Sequence, residues 1–83
     1  MQNTTYRLPP LSEYLDLADA QETLGHSFPT THSLRWFIRR HRDKLANSGA
    51  LIVVAGRHKL HPGLTEDVVK ECGRQSALGG RDE

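Results

Sequence analysis

A mainly α-helical fold carrying one small β-hairpin, in the order helix, turn, helix, hairpin, helix, is what this sequence predicts. Three observations lead there. An apolar stripe at helical spacing runs through Leu34, Phe37, Ile38, His41 and Leu45. A short β-branched run, Ala50-Leu51-Ile52-Val53-Val54, is followed by Ala55-Gly56 and a second alternating segment. The cations gather around these two features, with seven Lys and Arg against the single acid Asp43 between Thr30 and His61.

Taken in order, residues 1–10 are polar with a Pro9-Pro10 pair and read as a flexible arm. From Leu11 to Leu24 the spacing is helical: Leu11, Tyr14, Leu15 and Ala18 form one stripe, and Leu17, Ala20, Gln21 and Leu24 a second. Ser12-Glu13 suits the start and Gly25 the stop, and a break near Leu17–Asp19 would leave a separate helix from Ala18 to Leu24. In the connector His26-Ser27-Phe28-Pro29-Thr30, proline holds Phe28 extended so that its ring points inward. Thr30 or Thr31 then caps the next helix through its hydroxyl.

That second helix is expected to run to about Leu45. At ~100° per residue, Arg35, Arg39 and Arg42 share one flank of its polar side, and Trp36, Arg40 and Asp43 the other. Asn47-Ser48-Gly49 ends it. Ala50–Val54 is a strand, Ala55-Gly56 the reversal with glycine at positive φ, and Arg57–His61 the returning strand with Leu60 inward. Pro62 opens the last helix, whose apolar positions Leu64, Val68 and Cys72 fall at i, i+4, i+8, with Glu66 and Asp67 near its amino end. Gly73 closes it, and residues 74–83 read as a disordered tail. The domain expected at 11–73 is therefore a helix-turn-helix with a wing.

Eighty-three residues make one small domain near the lower limit for a self-sufficient core. Cys72 is the only cysteine, so no intramolecular disulfide and no thiolate metal cluster can form. No apolar run approaches the ~20 residues of a membrane span, and the amino terminus lacks a signal-peptide pattern. The expectation is a soluble, cytoplasmic protein with no membrane partner. No catalysis and no cofactor are expected: no glycine-rich phosphate loop follows a strand, and no serine–histidine–acid pattern exists. The five histidines match no ligand motif, so no metal is expected either; His41 belongs to the core or its boundary.

The charge distribution points to a polyanion. Outside 30–61 the chain holds four bases and nine acids, so a basic middle lies between acidic flanks. In a helix-turn-helix the second helix enters the major groove of double-stranded DNA, its amino-terminal residues nearest the base edges. Those residues are Thr31, His32, Ser33 and Arg35, and Arg35 has the fork for bidentate contact with guanine. Arg39, Arg40 and Arg42 lie further along, where phosphates run. Arg57, His58 and Lys59 at the hairpin tip suit a neighbouring minor groove or backbone. Trp36, on the polar side, is expected to be covered by the hairpin or the amino-terminal arm.

The stretch Ser33-Leu34-Arg35-Trp36-Phe37-Ile38, then Gly56-Arg57, then Pro62-Gly63-Leu64, resembles the excisionase-type winged helix-turn-helix proteins of the MerR-like DNA-binding superfamily. The resemblance covers roughly Leu17 to Cys72. Ser33 stands for the family's threonine, Phe37 for its tryptophan and Leu64 for its phenylalanine, while Trp36 takes a variable slot. It implies a recombination directionality factor, a bacterial and nucleoid-associated protein that binds and bends attachment-site DNA. Such a factor steers a tyrosine integrase towards excision of a mobile element. A transcriptional regulator of a phage or mobile-element promoter is the alternative, and a protein-interaction module such as an antitoxin is a different class. The acidic first helix and basic centre add an expectation of head-to-tail self-association on DNA.

Overall fold

The computed structural model of the chain describes residues 8–79. Residues 1–7 of the expected arm and 80–83 of the expected tail lie outside the described residues. After a 3₁₀ turn at Leu11–Glu13 come β1 (Leu15–Asp16), α1 (Leu17–Thr23), α2 (Thr31–Arg40), α3 (Arg42–Ser48), β2 (Leu51–Val54), β3 (Arg57–Leu60) and α4 (Pro62–Gly79). The fold is mainly helical, with a small antiparallel sheet in the order β1-β3-β2. Among the described residues no helix is long and apolar enough to cross a membrane.

The hairpin forms as its sequence dictates. Leu51 pairs with Leu60 and Val54 with Arg57. Ala55 and Gly56 both take positive φ, 52° and 78°, which matches the right-handed twist of the flanking strands. Leu60 is fully buried in the central strand. Phe28 turns inward and meets Phe37 with ring centroids 5.2 Å apart. Pro62 is the first residue of α4. His61 caps that helix, its Nδ1 accepting from the Leu64 N–H at 3.1 Å while Nε2 meets Glu13 Oε1 at 3.0 Å.

Three expectations about element boundaries are corrected. Leu11–Leu24 divides, as the expected break allowed, into a short turn at Leu11–Glu13 and a separate helix, but the residues between them are not helical. Leu11 is exposed, and Tyr14 is buried with its hydroxyl donating to the Gly49 carbonyl at 2.6 Å. Leu15 and Asp16 then run extended against Leu60 and Lys59, so the hairpin gains a third strand, and only Leu17–Thr23 is helical.

The second helix breaks at His41, whose φ and ψ of −120° and 32° end α2 and start α3. The His41 ring lies 4.5 Å from Phe37 and its Nδ1 is 3.6 Å from Cys72 Sγ on α4. The bend sits where α4 holds that ring, and beyond it α3 packs against α4.

Finally, α4 passes through Gly73 to Gly79, so residues 74–79 are helical rather than tail. A mid-helix glycine costs only about 1 kcal/mol against alanine. Glu71 bridges both Arg74, at 2.7 Å, and Gln75, and Lys44 Nζ on α3 donates to Gln75 Oε1. These contacts support the last turns.

The core lies where all four helices and the sheet converge, with Leu34, Leu45 and Leu60 at its fully buried centre and Val68 reaching in from α4. Leu15, Leu17, Leu64, Val69 and Cys72 pack around its edge. Thr65 of α4 is also fully buried, a polar side chain on a face the spacing of Leu64 and Val68 left unassigned.

Candidate nucleic-acid interface

The amino end of α2 is set by a capping box. The Thr30 hydroxyl accepts from the Ser33 N–H at 3.1 Å, and Ser33 Oγ accepts in return from the Thr30 N–H at 3.2 Å. Thr30 is therefore the cap, and Thr31 is the first helical residue. Gln21 Nε2 of α1 donates to the Phe28 carbonyl at 2.7 Å and pins the connector, fixing how α2 leaves α1. Thr31 and His32 are exposed at this end. Ser33 is turned back into the cap, also donating to the Thr30 carbonyl at 2.7 Å.

Burial of Leu34, Phe37 and Ile38 turns the opposite side of α2 outwards. Arg35, Arg39 and Arg42 emerge on one flank and line a concavity of about 380 Å³. Its floor is Leu17 and Ile38, and its far wall is His58 from β3. Arg42 Nη2 lies 3.2 Å from His58 Nε2, so the helical cations and the hairpin face the same hollow. Among the described residues no carboxylate is in ion-pair contact with Arg35, Arg39 or Arg42. Three cations held together without counter-charge form an anion-attracting surface.

The remaining basic residues go elsewhere. Arg40 leaves on the other flank, its guanidinium 5.5 Å from the centroid of the Trp36 ring. Trp36 is 53% exposed, and its neighbours across a second groove are Cys72, Gly73 and Ser76 of α4. The hairpin does not form that groove, which corrects the expectation that it covers Trp36; the arm invoked for the same role lies largely outside the described residues. Lys59 bonds Asp16 at 3.0 Å across the β1–β3 pair. This hydrogen bond, with the charges of Lys59 and then Arg57, holds the Asp16 carboxyl below its ordinary range. Lys59 and Arg57 alternate with His58 along β3, so the strand presents its cations and its imidazole on different faces. Arg57 is exposed beside the turn.

His41 sits behind this surface rather than on it. Burial, and then the charges of Lys44 and Arg40, push its imidazole down from the usual value, so the neutral form is favoured. No group of three or more His, Cys, Asp or Glu side chains converges among the described residues in a way that could hold a metal.

The structure thus brings together Arg35, Arg39, Arg42 and His58, with Thr31 and His32 at one end. It takes Ser33 into the cap, Arg40 to the Trp36 flank and Lys59 to Asp16. What sequence reasoning missed is the apolar floor and the Arg42–His58 contact. Period-two alternation gives a partial signal for the latter, since it puts His58 on the same strand face as Leu60. No family model, curated protein or solved structure gives a match to this chain.

Proposed function

We propose that this chain binds double-stranded DNA as a winged helix-turn-helix protein, with α1 and α2 as the two helices and β2–β3 as the wing. The observation that carries the reading is the hollow in which three arginines, without acidic partners among the described residues, face the hairpin. A ten-residue α2 spans about 15 Å, and the major groove is ~12 Å wide and admits one helix. Inserted by its amino end, α2 offers Thr31, His32 and Arg35 to base edges. Arg39 and Arg42 then reach the phosphates along the groove wall, and His58 meets them from the wing. Within that reading, the excisionase-type accessory role is the biological assignment we favour, on the residues of α2, the Gly56-Arg57 turn and the Pro62 helix start.

Two measurements test it in sequence. Binding to a mixed-sequence duplex should weaken steeply with salt, log K falling by ~0.9 for each phosphate contact; no duplex binding at low salt would refute the DNA reading. An excision assay with a tyrosine integrase from the same genetic element, with and without the protein, tests the biological role. Unchanged excision in the presence of demonstrable DNA binding would move the assignment to promoter regulation.

A further inference from the structure

We infer that Arg42 and His58 form a proton-coupled phosphate site: the contact between them opens, the two side chains grip one DNA phosphate together, and His58 takes up a proton as it binds. The inference rests on the DNA-binding reading above and makes a separate demand on it.

Arg42 Nη2 and His58 Nε2 are 3.2 Å apart. A guanidinium has no acceptor and does not deprotonate, so it must be the donor. His58 Nε2 is therefore the acceptor, which requires a neutral ring carrying its hydrogen on Nδ1. In that state His58 has no donor at Nε2 for a phosphate.

The groups around His58 are mostly cationic. Arg35 and Arg39 of α2 and Arg42 of α3 line the same hollow, and Arg57 and Lys59 flank His58 on its own strand. The one acid at the sheet, Asp16 of β1, is held by Lys59. Among the described residues no carboxylate is in ion-pair contact with Arg42 or His58.

A phosphate reverses the balance. Once its oxygen displaces the Arg42–His58 hydrogen bond, protonated Nε2 and the Arg42 guanidinium both become donors to it, and the anion screens the two cations from one another. Leu17 and Ile38 beneath the hollow exclude part of the surrounding water and so strengthen these contacts. Binding then favours protonation, and by reciprocity protonation favours binding. The proton comes from buffer, and no bond other than the hydrogen bonds changes.

The test measures binding of the full chain to a short mixed-sequence duplex by fluorescence anisotropy between about pH 5 and pH 8, where imidazoles change charge. Affinity should fall as pH rises, by up to about tenfold per pH unit for one linked proton. Calorimetry in two buffers of different ionisation enthalpy should report uptake of that proton. His58→Lys, a fixed cation, should bind with no such pH dependence, and His58→Gln should bind more weakly, also without it. His32→Gln removes the exposed imidazole at the amino end of α2 and should keep the slope whatever it does to affinity. A slope that survives in His58→Gln, or that vanishes in His32→Gln, overturns the inference. So does pH-independent binding of the wild type without proton uptake, and that result leaves the DNA reading standing. Failure to bind duplex at any pH removes both.

Discussion

Arg39 and Arg40 are neighbours in sequence, and replacing each by alanine should have different consequences on DNA. Arg39 lines the hollow beside Arg35 and Arg42, and none of the three is paired with an acid among the described residues. If each meets one phosphate, together they contribute ~2.7 to the slope of log K against log salt, so a fourfold rise in salt weakens binding by roughly fortyfold through these residues. In Arg39→Ala that contribution drops to ~1.8, and the same salt step weakens binding by only about twelvefold. Arg40 lies over the Trp36 ring on the other flank. Arg40→Ala should keep the wild-type slope and lose only an exposed cation–π contact of about 0.5–1 kcal/mol in stability. Alanine is the best helix former, so neither variant threatens α2. Anisotropy of a labelled duplex over a salt series, with urea melts alongside, makes both measurements. An unchanged slope in Arg39→Ala, or equal reductions in the two variants, would refute the reasoning, because the second result would mean that only overall charge matters.

Three further outcomes concern stability. Thr65→Val keeps the β-branched shape and removes a buried hydroxyl that has no hydrogen-bond partner among the described residues, so the urea midpoint should rise, by about 1 kcal/mol in stability; a lower midpoint would show that the hydroxyl is satisfied after all. Gly49→Ala puts a Cβ on a residue with φ of 84°, against the Leu8 side chain, at the point where the carbonyl accepts from Tyr14. Left-handed geometry alone costs about 1–2 kcal/mol for a residue with a side chain, so thermal unfolding should move down by several degrees. An unchanged melt would argue against that conformation. His41 is favoured neutral in the folded chain, so its contribution is complete above the unfolded imidazole range near ~6.5 and declines as pH falls from there towards the lower folded value. Urea midpoints of the wild type should therefore drop on mild acidification, and His41→Gln should flatten that drop; Asp16 and Glu71, both depressed by their cationic partners, act only at lower pH. An identical pH profile in His41→Gln would assign the effect elsewhere.

Local pattern was enough for the parts of the fold whose causes are local. The buried stripe Leu34, Phe37, Ile38 and Leu45, the Ala55-Gly56 reversal, the Pro62 start and the cap at Thr30 each depend on residues within a few positions of one another. The arginine flank was legible for the same reason, because 3.6-residue periodicity alone groups Arg35, Arg39 and Arg42. What escaped depends on distant partners. Tyr14 and Leu15 fit helical spacing by coincidence, and a strand of two residues has no period to detect. It exists because Leu60 and Lys59 lie alongside, and because the Tyr14 hydroxyl finds the Gly49 carbonyl 35 positions away. The apolar stripe also continues across His41 with no proline or glycine to mark the bend, which is associated with a ring held between Phe37 and Cys72. Gly73 read as a stop because its neighbours' support, from Glu71 and from Lys44 on α3, is partly tertiary.

The missed strand bears directly on the site. By binding Lys59, Asp16 withdraws one cation from the surface that the charge distribution suggested and braces the hairpin from its outer edge. Arg42 braces it from the inner side through His58. The hairpin is thus held from both sides before any ligand arrives, which lowers the ordering cost of binding. A narrower patch with a fixed wall discriminates by shape as well as by charge. Weakening the Asp16 brace should consequently affect DNA binding through the position of His58, even though Asp16 itself is an acid whose removal would, on charge alone, be expected to help.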